Sequence, residues 1–196
     1  VLYRGDDITK YNKEQMRQMR RKMQLIFQDP YASLNPRMTV LELIKAPLDA
    51  FGTGTNEERI QKVKEIMELV GMPENMMNRY PHELSGGQLQ RVCIARAIAT
   101  KPRFIVFDEA VSSLDVSVQA QVLELLLELK GDMTYLFIAH DVQAVTYLCD
   151  HIMFLHEGTI AESLEKEHLA RASSGYAQRL LQSVIPFNPD ACVATV

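Results

Sequence analysis

Two short runs of uninterrupted apolar residues, "FIVF" at Phe104–Phe107 and "YLFIA" at Tyr135–Ala139, constrain the fold most. Both have strand length, and each is apolar on successive residues, the pattern of a parallel strand covered on both faces. A helical pattern follows each. After the first, Val118, Val122, Leu125, Leu126 and Leu129 face inward on a helix spanning roughly Val116 to Leu129. After the second, a helix runs from Asp141 to about Leu148. "QLIFQ", Gln24 to Gln28, reads as a third buried strand. Alternating strand and helix predicts a parallel α/β sheet.

The stretch from about residue 40 to residue 100 reads differently, as all helix. "TVLE" at Thr39–Glu42 is a capping box that opens a helix. A second helix is expected from about Glu57 to Val70, with Ile60, Val63, Met67 and Val70 inward and Gly71 in the left-handed cap. The predicted division is therefore an α/β core over 1–38 and 101–162, a helical subdomain over 39–100, and C-terminal helices with a loose tail over 163–196.

Within the core, "VLYRGDDIT" predicts a short strand and a turn at Gly5 and Asp6. "KEQMRQMRRKM" predicts a helix with Met16, Met19 and Met23 inward. Its basic face of Arg17, Arg20, Arg21 and Lys22 is either simply solvated or suited to phosphate or a membrane surface. Pro30 and Pro36 should keep "DPYASLNPR" from continuing as helix or strand. In that loop Tyr31 and Leu34 are either anchors for a partner helix or fold back onto the core. "HIMFLHEGTIAE" predicts a hairpin turning at Glu157 and Gly158.

Composition excludes several classes. With 196 residues, 47% of them hydrophobic, the chain can bury one sizeable core. A net charge of −4 gives no bulk attraction to nucleic acid. No apolar run approaches the roughly 18 residues of a membrane span. Cys93, Cys149 and Cys192 lie too far apart for a metal cluster and read as reduced thiols. A start at Val1 rather than Met suggests a fragment.

The chemistry gathers where polar groups end apolar strands. "FIVF" runs into Asp108 and Glu109. Ligands of open α/β sheets collect at the carboxyl ends of the strands. Asp108 there suits Mg²⁺ and Glu109 suits activation of a water, although two acids can also simply fill the turn before a helix. Gln28 and His140 end the neighbouring strands, which would place His140 beside Glu109. Ser85 and Gln88 form a capping box, and Gly86 and Gly87 weaken the turn that this box caps. Bare glycines leave the first N–H groups of the helix open to an anion. Together these features call for a nucleoside triphosphate with Mg²⁺.

The sequence resembles the nucleotide-binding subunits of ABC (ATP-binding cassette) transporters. "LSGGQ" at Leu84–Gln88 is similar to their signature motif, "FIVFDE" to Walker B, and "SSLD" at Ser112–Asp115 to the D-loop. His140 corresponds to the switch histidine and Gln28 to the Q-loop glutamine. "FQDPYASLNPRMTV", "SSLDVSVQAQVLELL" and "GYAQRLLQSVIP" resemble the oligopeptide, dipeptide and nickel importer branch. The insertion lacks the sustained heptads of ABC-type ATPases that serve DNA repair.

The resemblance implies a P-loop NTPase-like (RecA-like) parallel-sheet core with an inserted all-helical subdomain. It implies ATP and Mg²⁺ as cofactors, Asp108 and Gln28 at the metal, and Glu109 as the base. His140 and Gln28 would sense the γ-phosphate. Ser85, Gly86, Gly87, Gln88 and Asp115 would serve nucleotide held by the opposite subunit of a head-to-tail dimer. The implied partners are that second ATPase subunit and integral membrane permease subunits, with no nucleic acid, at the cytoplasmic face of the cell membrane. Two departures stand out. Ala110 follows Glu109 where the family commonly has Pro, and none of the nine glycines is followed by the lysine of a P-loop. The chain by itself is therefore expected to be inactive, or a silent remnant that only binds partners.

Overall fold

The computed structural model describes residues 1–183, which belong to two compact units, Val1–Ile138 and Ala139–Val196. The tail "PFNPDACVATV", with Cys192, lies outside the described residues.

The first unit opens on a two-residue hairpin, β1 (Leu2–Tyr3) against β2 (Asp6–Asp7). Its turn falls on Arg4 and Gly5, both at positive φ (51° and 91°), one residue earlier than the sequence suggested. Asn12 then opens α1 (Lys13–Lys22) through a capping box with Gln15, and Met19 is the buried residue of this otherwise charged helix. The chain continues directly into β3 (Met23–Ile26).

Three parallel strands form the sheet, in the order β3, β4 (Phe104–Asp108), β5 (Thr134–Ile138). Leu25 pairs with Val106, and Val106 with Leu136. Phe107 is buried on the adjoining face, 5.0 Å from the Tyr135 ring and 5.9 Å from the Phe137 ring. The strands are not covered on both faces as their unbroken apolar runs predicted. Leu25, Phe27, Leu136 and Ile138 are 43%, 51%, 36% and 46% exposed.

Between β3 and β4 the chain is helical, as expected. Pro30 does not block a helix. It sits in the first turn of the short α2 (Pro30–Ser33), where its missing N–H costs nothing, and Asp29 caps that turn. Tyr31 is 54% exposed, whereas Leu34 folds back into the core at 4%. Thr39 and Glu42 form the predicted box at the start of α3 (Val40–Ala50), and the α3 amides of Val40 and Leu41 donate to Arg79 and Met77 carbonyls. A further box, Thr55 with Glu58, opens α4 (Asn56–Leu69). Gly71 ends it at φ +65°, and Arg91 donates to the Val70 carbonyl at 2.6 Å. Val40, Ile44, Val63, Met67, Leu89 and Val92 pack as the apolar centre of α3, α4 and α5 (Gly86–Ile98). α6 (Val116–Leu129) joins β4 to β5 and buries Val122, Leu123, Leu125 and Leu126.

The second unit holds α7 (Val142–Leu148), the hairpin β6 (His151–His156) with β7 (Thr159–Glu165), and α8 (Gly175–Ser183). The hairpin turns at Glu157 and Gly158, both at positive φ, as predicted. Its own small core is Ile152, Phe154, Leu169, Ala172 and Ala177. Glu162 accepts from the Ser173 and Ser174 amides at 2.8 and 2.9 Å and so ties β7 to the start of α8.

Cys93 is buried and its thiol pushed up by that burial, and Cys149 is half-buried; neither is in a disulfide. Gln90 interrupts the apolar packing of α5. It is 1% exposed, and neither amide atom meets a partner among the described residues. Leaving such groups unpaired costs about 1–3 kcal/mol. Gln90→Met, similar in shape and without the amide, should therefore raise the unfolding free energy by about 1 kcal/mol or more. A loss of stability in chemical denaturation would show that this amide is satisfied in solution.

Candidate functional site

Asp108 is the last residue of the central strand β4 and its carboxylate is exposed at the carboxyl edge of the sheet. Glu109 follows in the left-handed region, φ +49°, where a residue with a side chain is uncommon. Three hydrogen bonds fix it there. The Glu109 amide donates to the Ile138 carbonyl at 2.9 Å, and its carbonyl accepts from the Ser112 amide at 3.1 Å and the Ser112 hydroxyl at 2.8 Å. A strained backbone held on both sides is the usual mark of a position where function dictates geometry. Ala110, just beyond, is buried.

Ser112 also receives Gln28. The Gln28 Nε2 donates to the Ser112 hydroxyl at 3.3 Å, across 84 residues of sequence. Gln28 lies two residues beyond β3, so adjacent parallel strands bring it to the acid pair. The structure thus joins Gln28 and the Glu109 backbone through Ser112, a residue that sequence reasoning placed only within the "SSLD" motif. Its signal was a serine three residues after Glu109, the acid that follows the strand, the spacing of a hydroxyl that closes a turn.

Asp115 caps α6, accepting from the Val118 amide at 3.1 Å and the Ser117 hydroxyl at 2.8 Å. The Val118 amide, then Ser117, hold its carboxyl below the usual range. His140 falls in the second unit, just before Asp141, which caps α7 through the Gln143 and Ala144 amides.

At the start of α5 the predicted capping box is present. Ser85 accepts from the Gln88 amide at 3.4 Å, and the Gln88 side chain accepts from the Ser85 amide at 3.0 Å. Helix geometry leaves the Gly86 and Gly87 amides without intrahelical acceptors. The two glycines differ in one respect. A Cβ on Gly86 would meet Leu114 at an ordinary 3.6 Å, but a Cβ on Gly87 would overlap Val118 Cγ1. Gly87 therefore has an intramolecular use, the close approach of α5 to α6, which the sequence reading did not foresee. Gly86 has no such constraint.

Among the described residues no three His, Cys, Asp or Glu side chains converge to cage a metal. Asp108 alone with the Gln28 amide oxygen fits the habits of Mg²⁺, which takes one or two protein oxygens and completes its shell with phosphates and water.

This geometry, a parallel sheet with chemistry at its carboxyl edge, is that of P-loop NTPase-type ATP-binding cassettes. The fold matches an ATP-binding cassette solved as a dimer in a post-hydrolysis state bound to ADP and Pi, with TM-score 0.72 and 27% identity over 84% of this chain and 72% of that one. It also matches cbiO1 of Clostridium perfringens in fold, with TM-score 0.76 and 22% identity over 97% of this chain and 73% of that one. The chain belongs to the ABC transporter family, whose model matches residues 1–112. It is 45% identical over 194 residues to a putative peptide import ATP-binding protein of Brucella ovis, covering 97% of this chain and 61% of that protein. Similarity to the oligopeptide transport ATP-binding protein OppF of Bacillus subtilis is 46% identity over 195 residues, 97% of this chain and 64% of that protein. The chain thus spans less than two thirds of the length of these relatives. No described helix is long and apolar enough to cross a membrane.

Gly87→Ala tests the packing role. Alanine gains about 1 kcal/mol of helix propensity, but overpacking a fitted contact costs about 1–3 kcal/mol. The variant should be less stable, and Val118→Ala in the same chain should recover most of the loss. Equal melting temperatures for wild type and Gly87→Ala would show that α6 yields without cost.

Proposed function

We propose that the chain is part of an ATP-hydrolysing subunit that drives import of oligopeptides or dipeptides. The peptide-import names of its relatives support the solute class. The observation that carries the ATPase reading is the pinned, left-handed Glu109 beside the exposed Asp108, with Gln28 drawn to the same turn.

In this reading Asp108 and the Gln28 amide oxygen hold Mg²⁺, whose charge offsets that of the phosphate oxygens. Glu109 accepts the proton of the attacking water, and its fixed backbone sets where the carboxylate points. Gln28 and His140 report the presence of the γ-phosphate. Ser85 and Gln88, whose capping box sets the turn, with the Gly86 and Gly87 amides, cradle the γ-phosphate of nucleotide on a second, head-to-tail ATPase subunit, and Asp115 shapes the approach by capping α6. Exposed Tyr31 offers an apolar anchor to a permease helix, with the subunit seated at the cytoplasmic face of the cell membrane.

Phosphoryl transfer rests on positioning and charge stabilisation, much of which a P-loop lysine and its amides supply. The 196 residues contain no Gly-Lys pair, so this chain alone should not turn over MgATP. In a longer polypeptide that carries a P-loop, Glu109→Gln should lower kcat by about 10²–10⁴-fold and leave ATP affinity unchanged. Retained turnover, or lost ATP binding, would remove Glu109 from its assigned role. Mixed with a sibling subunit that carries a P-loop, this chain should associate in an ATP-dependent way. Ser85→Arg should abolish that association by blocking the phosphate; equal association of the Arg variant in sedimentation would refute the cradle.

A further inference from the structure

At the amino ends of β3 and β4 the first unit has a cavity of about 630 Å³. β4 rises about 3.3 Å per residue, which puts this cavity about 13 Å along the strand from Asp108. Its wall carries Arg21, Lys22, Lys101 and Arg103, and its apolar part is Leu48, Phe51 and Ala99. A volume in this range suits a small molecule.

The charge is unusual for a chain of net −4. Two other cations on the wall are engaged: Arg59 pairs with Asp49 at 2.7 Å and Lys62 with Glu65 at 2.7 Å. Arg21, Lys22, Lys101 and Arg103 make no ion pair among the described residues. Helices α1 and α5 both end here, and each C-terminus supplies about −0.5 charge. Together with Glu58, the acid on this wall, that offsets about two cations of the four.

Two of these cations stand on fixed backbone. The Arg103 amide donates to the Lys22 carbonyl at 2.9 Å, and the Arg103 carbonyl accepts from Thr134 at 2.9 Å. Lys101 closes α5 with φ +51°, its amide donating to Ile98 at 2.8 Å. Glycine is the residue that takes this left-handed cap without strain. A lysine keeps a cation at the rim at the expense of the backbone. Phe51, half-buried, lies 5.9 Å from the Arg21 guanidinium carbon, so the apolar wall and a cation are side by side.

We propose that this cavity is a second anion site, separate from the carboxyl edge of the sheet, for a small phosphorylated molecule with a flat apolar portion. The phosphate is held by Lys22, Lys101 and Arg103, and the apolar part lies against Leu48, Phe51 and Ala99. Charge-assisted contacts from several side chains hold the anion, and the apolar wall selects against bare phosphate.

The test is calorimetric titration of the chain with 1-naphthyl phosphate and with inorganic phosphate, at low salt and without magnesium. 1-Naphthyl phosphate should bind one to one and at least about tenfold more tightly than inorganic phosphate. Lys101→Gly and Arg103→Gln should each weaken it about tenfold. Lys101→Gly relieves the strained cap and should melt no lower than wild type, so lost binding cannot be ascribed to unfolding. Three results would overturn the proposal. These are no binding of 1-naphthyl phosphate, equal affinity for inorganic phosphate, and binding undiminished in both variants. Association with phosphatidylglycerol vesicles without binding of 1-naphthyl phosphate would likewise overturn it, by making the patch a membrane surface.

Discussion

The hydrogen bond from the Glu109 amide to the Ile138 carbonyl extends the β4–β5 ladder one residue beyond the strand. It obliges the chain to turn while still paired to its neighbour. A turn so constrained needs a left-handed residue, and Ser112 supplies the two bonds that hold one there. Gln28 comes next, because β3 pairs with β4 in parallel register and delivers it to the same serine. The acid pair is thus positioned by sheet pairing and by a single hydroxyl. Ser112 controls the backbone of Glu109, and any change there acts on the carboxylate through main-chain geometry.

The second contact on which the site depends is the approach of α5 to α6. Gly87 sits against Val118, and the Val118 amide also donates to Asp115. The signature turn and the "SSLD" turn are therefore mechanically joined through one valine. This changes the reading of the glycine pair. Gly87 is explained by packing, so only Gly86 retains bareness as an argument for ligand approach. The anion-site reading now rests on free amides at a helix N-terminus, with one glycine rather than two in its favour.

Local chemistry was legible in the sequence where it is written in adjacent residues. The boxes Thr39–Glu42 and Ser85–Gln88, the Gly71 cap and the Glu157–Gly158 turn were all read correctly because each is decided within four residues. The strands were found, but their covering was not. An unbroken apolar run predicts burial on both faces, and periodicity holds no information about whether a covering element is present. The exposed Leu25, Phe27, Leu136 and Ile138 record that limit. Leu34 was ambiguous for the same reason, since a lone apolar residue in a polar loop has no period to read. The role of Ser112, and the meeting of the basic face of α1 with Lys101 and Arg103, escaped notice because their partners are remote in sequence. Gln28 meets Ser112 across 84 residues, and Arg21 shares a wall with Lys101 and Arg103.

The two proposed anion sites lie at opposite ends of helix α5, and its dipole requires them to differ. At the amino end the dipole is positive and the Gly86 and Gly87 amides lack intrahelical acceptors, so backbone groups can hold an anion with little help from side chains. At Ala99–Lys101 the dipole is negative and repels one. An anion there must be won by side chains alone, against α5 and α1 together, which is why several unpaired cations crowd one wall. The first site is consequently sensitive to steric change and to the conformation of the turn, and insensitive to the charge of neighbouring residues. The second is sensitive to charge and to ionic strength, because its cations are exposed and screened by salt. Glycine at the amino end and lysine in a strained left-handed cap at the carboxyl end are opposite solutions to the same electrostatic problem on one helix.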